Sequence, residues 1–251
     1  MRRSRSFQNT VFNTLLISFA LILALNHSII SAGVQRPPGA DRASTHYGPA
    51  IEMLERFIAR EIVDKQLPAL SIALVDDRQT VWAKGFGFAN PKDKTPATAE
   101  TVYRVGSVSK LFTDIAIMQL VEQGKLDLDA PVTRYLPDFS PRNPFSKPIT
   151  LRQLMSHRSG LVRESPVGSY FDPTEPSLAR TVASLNKTSL VYEPETRGKY
   201  SNAAIATVGY VLERTQGQPF AKYLKRAVLD PLGLAHSSFE PAPEIDDKLA
   251  K

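Results

Sequence analysis

The sequence predicts an α/β (α+β) fold in which a two-stranded hairpin near the N-terminus is followed almost only by helices. Three observations carry that expectation. Two strand-like runs, Leu70–Val75 and Thr80–Phe88, are separated by Asp76-Asp77-Arg78 and read as a hairpin. The run Leu111–Val121, with apolar residues on nearly every face, reads as a helix covered on all sides. Beyond it the apolar periodicity is helical, not alternating. A two-stranded hairpin is marginal alone, so these strands call for partners. None is visible downstream, so the chain reads as incomplete.

The first 32 of the 251 residues stand apart from an otherwise ordinary globular composition, 42% hydrophobic and 22% charged. Arg2, Arg3 and Arg5 precede the apolar run Thr14–Leu25, and small residues follow at Ser31, Ala32 and Gly33. This pattern predicts a signal peptide over residues 1–32, favoured over a retained N-terminal membrane anchor because its apolar centre is short. Either way the protein is expected to be exported, periplasmic or secreted. Residues 33–48, with the Pro- and Ser-containing Val34–Thr45, read as a linker, and 49–245 as the domain proper.

Within that domain, Pro49–Val63 carries Ile51, Leu54, Phe57, Ile58 and Ile62 at helical spacing. Gly85 and Gly87 alternate with Phe86 and Phe88, as where another backbone crosses a strand closely. Gly124 is placed to end the apolar helix. Pro131, Pro137, Pro141, Pro144 and Pro148 then mark a turn-rich stretch. Thr150 caps a short helix, Leu151–Ser156, and Glu164–Pro176 is loop. Further helices are expected over Leu178–Leu185, Ala203–Arg214 and Phe220–Val228.

Composition also excludes chemistry. Without cysteine there is no disulfide, no thiol nucleophile, no cysteine-bound zinc and no lipidated cysteine. His27, His46, His157 and His236 are scattered, with no H-E-x-x-H spacing, so a metal-dependent hydrolase is not expected. Three of the six net positive charges are Arg2, Arg3 and Arg5. No basic block interleaved with aromatics follows, so a nucleic-acid partner has no support.

One stretch suggests chemistry directly. Ser107 opens the apolar helix, where free N–H groups and the positive dipole end favour developing negative charge. Lys110 is one turn away on the same face, so the pair can act as nucleophile and proton acceptor. The bland role for Ser107 is an N-cap. S-x-x-K also recurs at Ser184–Lys187, so the pattern alone does not choose. Tyr200-Ser201-Asn202, before the helix at Ala203, reads in isolation as a turn with Asn202 as N-cap. Beside a serine and a lysine it reads differently. A tyrosine next to an ammonium can relay protons, and an asparagine amide can hold a substrate carbonyl.

Taken together, these blocks resemble the serine β-lactamase and DD-peptidase superfamily, in its class C β-lactamase-like branch with related esterases and D-aminopeptidases. The resemblance runs from Ile51 to Phe239. It rests on Val105–Leu111, Gly124–Asp129, Tyr135-Leu136-Pro137, Leu151–Leu161 and Tyr200-Ser201-Asn202, in that order. It implies a β-lactamase/transpeptidase-like fold, an antiparallel sheet flanked by helices plus a helical domain, with the C-terminal strands of the sheet missing from this chain. It implies Ser107 as an acylated nucleophile, Lys110 and Tyr200 sharing proton transfer, Asn202 positioning substrate, and no cofactor. It gives His157 a structural place.

The sequence also departs from the family pattern. Glu195, not glycine, follows Pro194, and Lys199 precedes Tyr200 where a bulkier or apolar residue is common. A third motif, K-T-G or H-x-G beyond Y-x-N, is missing: Lys187-Thr188-Ser189 precedes Tyr200, and His236-Ser237-Ser238 lies in the Leu-Gly-Leu segment. The chain is therefore expected to be C-terminally truncated and inactive as it stands. The resemblance implies an exported serine hydrolase acting on an amide, ester or β-lactam, with a small-molecule or cell-wall peptide substrate. The competing reading is a non-catalytic penicillin-binding-like or scaffold module that keeps the fold without turnover.

Overall fold

The computed structural model describes residues 40–251, with side chains from Tyr47 onward. The expected signal peptide, and the expected linker up to residue 39, lie outside the described residues. The chain divides into two compact units, one ending at Arg60 and including Ala73–Ala83, the other comprising Glu61–Ile72 and Lys84–Lys251.

Helix α1 spans Ala40–Asp64, so residues 40–48 of the expected linker are helical. The sequence suggested a start at Pro49, from the helical spacing of the apolar residues that follow it. Pro49 instead lies inside α1, where its fixed φ is helical and its missing N–H removes one ladder bond. Phe57, expected on the core face, is exposed, while Ile58 is buried. In the first unit the hairpin tip joins strands β1 (Ala69–Asp76) and β2 (Gln79–Asn90). Asp77 and Arg78 both take positive φ, 42° and 67°, as a tight two-residue hairpin turn requires. The Tyr47 hydroxyl donates to Asp76 Oδ2, and that carboxylate holds the phenol above its ordinary range.

In the second unit a short strand, β3 (Thr95–Pro96), pairs antiparallel with β2, giving the order β1-β2-β3. Two residues with a proline cannot show an alternating pattern, which is why no third strand was visible in the sequence. Nearby, Leu249 forms an isolated parallel bridge with Val102. Val102 N–H donates to Lys248 O at 2.9 Å, Ala250 N–H to Val102 O at 2.9 Å, and Lys251 N–H to Ala89 O at 2.8 Å. The glycines of β2 meet backbone as expected. A Cβ on Gly85 would fall 2.3 Å from Thr98 N, and one on Gly87 2.3 Å from Pro68 O.

The core of this unit is helical. Helix α2 (Ser109–Glu122) packs on α5 (Asn202–Gln216), as do α3 (Leu151–Met155), α4 (Leu178–Ser184) and α6 (Phe220–Leu224). Ile117, Leu120, Leu151, Leu154, Val208, Val211, Leu212 and Leu224 are wholly enclosed. Truncating such a leucine to alanine costs about 2–5 kcal/mol. After α6 the chain takes a π-type turn, Lys225–Leu229, so the helix expected over Phe220–Val228 changes winding halfway. A last short helix, α7, spans Pro243–Asp246.

Helix α2 corrects one expectation. It is not covered on all sides: Thr113, Ala116, Ile117 and Leu120 are buried, whereas Leu111 is 60% and Met118 39% exposed. Apolar content identifies what a helix could bury, and only packing neighbours determine what it does bury. Its C-terminus matches the expectation. Gly124 (φ 68°) donates to Val121 O and Lys125 N–H to Leu120 O, both at 2.9 Å, the paired bonds of a Schellman cap.

Candidate active site

A tight 3₁₀ turn, Gly106–Val108, delivers the chain into α2. Gly106 adopts φ 54°, which side-chain-bearing residues resist, and Ser107 follows it on the exposed rim. Neither the turn nor α2 is capped by a side chain, so the Ser107 hydroxyl is not spent as an N-cap. It has two other partners. Lys110 Nζ donates to Ser107 Oγ at 2.9 Å, the contact expected from one helical turn of separation. Tyr200 Oη lies 2.5 Å from the same oxygen.

Tyr200 is brought there by the start of α5. Ser201 is wholly buried and is the actual N-cap: its Oγ accepts from Ala204 N–H at 2.9 Å and donates to Val162 O at 2.6 Å. Asn202 is thus not the cap. A hydroxyl fits the capping position with its second bond satisfied, and the amide of Asn202 is released for other work. That amide donates from Nδ2 to Glu164 Oε1 at 2.6 Å. A carboxylate only accepts, so the orientation of the amide is fixed by its partner.

The electrostatics converge on Tyr200. Lys110, foremost, and then Ser107 hold its phenol below the ordinary tyrosine range by stabilising the phenolate, and Arg163 adds to this through its charge. Lys110 Nζ lies 5.0 Å and the Arg163 guanidinium 5.2 Å from the ring centroid. His157 packs against the same ring, centroids 4.5 Å apart, and its Nδ1 accepts from Ser201 N–H at 3.3 Å. Burial, then the charge of Lys110, holds the imidazole below its ordinary pKa, which suits a neutral bracing ring.

The structure therefore brings Ser107, Lys110 and Tyr200 into direct contact, and places Asn202 two residues along with its amide turned to Glu164. Arg163 and Glu164 escaped the sequence reading. Nothing in local spacing ties them to residues some 38 positions away; the only signal was their place just after the Leu151–Leu161 block. The second S-x-x-K is structural. Ser184 is buried, donates to Thr181 O at 2.7 Å and accepts from Val167 N–H at 3.2 Å. The departure at Glu195 also has a visible consequence. It keeps the left-handed conformation (φ 73°) that glycine takes cheaply, and is held there by Arg158, whose Nε lies 3.0 Å from Glu195 Oε2.

Comparison with known proteins identifies the family. The Beta-lactamase family model matches residues 54–251. "Beta-lactamase-like protein 2" of Dictyostelium discoideum is 32% identical over 210 residues, 80% of this chain and 38% of that protein. A "Putative D-alanyl-D-alanine carboxypeptidase" of Escherichia coli K12 is 28% identical over 214 residues, 76% of this chain and 47% of the relative. The structure of EstCE1, described as a hydrolase with promiscuous acyltransferase activity, superposes with a TM-score of 0.69 at 30% identity, covering 78% of this chain and 54% of EstCE1. The chain thus spans half or less of the length of these two curated relatives. Sequence match, mixed α/β fold and superposition coincide: the chain belongs to the Beta-lactamase family, within the serine β-lactamase and DD-peptidase superfamily of serine hydrolases.

Proposed function

We propose that the whole protein is an exported serine hydrolase, of the class C β-lactamase-like branch, that works through an acyl-enzyme on Ser107. The observation that carries this reading is the double contact on one oxygen, Lys110 Nζ at 2.9 Å and Tyr200 Oη at 2.5 Å from Ser107 Oγ. With Lys110 donating to Oγ, the serine's own proton is free to point at the Tyr200 oxygen, the arrangement from which it can leave.

In the proposed reaction, Tyr200 as phenolate takes that proton while Oγ bonds to the substrate carbonyl carbon. The oxyanion forms at the opening of α2, where the Ser107 N–H and the helix dipole favour it. As the carbon–leaving-group bond breaks, the proton passes to the leaving amine or alkoxide, with Lys110 sharing the transfer. Water then attacks the acyl carbonyl, gives its proton to Tyr200, and Ser107 Oγ departs carrying that proton. Asn202 positions the substrate with the amide hydrogen not given to Glu164.

The substrate class is an amide, ester or β-lactam, a cell-wall peptide among them. Support comes from a carboxypeptidase-named relative and a structural neighbour described as a hydrolase. Export rests on Arg2, Arg3 and Arg5 ahead of Thr14–Leu25, and N-terminal sequencing of the mature protein tests it. The test of the activity is turnover of an activated ester by the protein at its natural length. Ser107→Ala should abolish it, and retention of full turnover would refute the reading.

A further inference from the structure

The ring of Tyr200 carries two cations, and only one of them, Lys110, has a part in the proposed chemistry. The other is Arg163, whose guanidinium lies 5.2 Å from the ring centroid. Its main chain is tied to the same place. Arg163 O accepts from Asn202 N–H at 2.8 Å and from Ala203 N–H at 3.2 Å, two donors that α5 leaves unmatched at its first turn. Its Nε lies 3.5 Å from Glu164 Oε1, the oxygen that also takes the Asn202 amide. The dipeptide 163–164 therefore touches both outer residues of Tyr200-Ser201-Asn202.

We propose that Arg163 is a positioning residue for Tyr200, its guanidinium holding the phenol ring against Ser107 and supplying a permanent second positive charge beside Lys110. This rests on the hydrolase reading above. An ammonium that shares in proton transfer loses its charge at the moment a phenolate most needs a partner. A guanidinium does not, because it stays protonated throughout the working pH range. Its planar face also suits an aromatic ring.

Among the described residues, the charged and titratable groups recorded against Tyr200 are Lys110 from α2, His157 from the turn after α3, and Arg163 from the loop that follows, with Glu164 paired to Arg163. His157 is held toward its neutral form, and Glu164 is engaged by Arg163 and Asn202. Arg163 acts from outside the core: its side chain is 65% exposed, so substitution there leaves the packing intact.

The test reads Tyr200 directly. In natural-length protein labelled with 13Cζ-tyrosine, the Tyr200 signal is assigned with Tyr200→Phe and titrated in wild type, Arg163→Met and Arg163→Lys. The pH profile of kcat/KM is recorded beside it. Arg163→Met should raise the proton affinity of Tyr200 by about fivefold, the order expected for removing a unit charge at this range in largely solvated surroundings. The acidic limb should move upward with it, and Arg163→Lys should restore most of the shift. A Tyr200 titration unchanged within about twofold in Arg163→Met would overturn the proposal, whatever happens to melting temperature, and would leave Arg163 a brace for α5. Failure of the wild type to hydrolyse esters would count against the hydrolase reading, while the titration would still decide the role of Arg163.

Discussion

Ser107 Oγ and Tyr200 Oη, 93 residues apart in sequence, lie 2.5 Å apart in the fold. Two helix starts meet there: the turn that opens α2 and the buried Ser201 cap that opens α5. The site is thus as stable as the α2–α5 contact beneath it, and its chemistry depends on a few polar groups at the rim.

Lys110→Ala and Tyr200→Phe should each lower kcat for an activated ester by roughly 100-fold or more, the range for general acid–base groups. Circular dichroism should show both variants folded, since neither side chain is enclosed. Full activity in either variant would remove it from the proton path.

The acidic limb of kcat/KM should lie below the ordinary tyrosine range, near 10, because the neighbours of Tyr200 lower its proton affinity. The sign follows from the proposed reaction: with deprotonated Tyr200 as the base, activity should rise as pH passes its pKa from below. Lys110→Met removes the largest cause and should move that limb upward. A limb that stays in place would assign the titration to another group.

Ser184→Ala should leave turnover and covalent labelling unchanged, although Ser184-Leu185-Asn186-Lys187 repeats the S-x-x-K pattern. Its hydroxyl serves the Val167 N–H and the Thr181 carbonyl, so the cost is to stability, about 1–2 kcal/mol by denaturant unfolding. Loss of labelling would mean that the wrong serine has been chosen.

Asp114, on α2, has one buried oxygen without a hydrogen-bond partner among the described residues, and burial pushes its carboxyl up to about 6. The native state then holds this proton more tightly than the unfolded chain. Stability should fall as pH rises from about 4 through about 6 and level off above that. Asp114→Asn should flatten this slope and raise stability at pH 8 relative to pH 3.5. Partial solvent access limits the gain to roughly 1 kcal/mol. Equal unfolding free energies for both proteins at both pH values would contradict this.

How much of this was legible in the sequence follows from range. Ser107 and Lys110 are one helical turn apart, so their contact could be read from spacing alone. The caps at Thr150 and Gly124 and the hairpin turn at Asp77-Arg78 are equally local, and the structure has them where they were expected. Tyr200 needed the family resemblance, because no periodicity connects residues so far apart. The exposure of Leu111 and Met118 and the two-residue β3 depend on which segments pack together, which composition does not encode locally. Arg163 and Glu164 lay beyond both kinds of reasoning, since a charged pair in a loop reads as solvated surface until its partners are seen.

The most direct measurement is mass spectrometry of the natural-length protein after reaction with a fluorophosphonate or a fluorescent penicillin. The account predicts one covalent adduct, mapped to the peptide bearing Ser107, abolished by Ser107→Ala and strongly slowed by Lys110→Ala. An adduct on Ser184 or another residue, or labelling that survives Ser107→Ala, would contradict it.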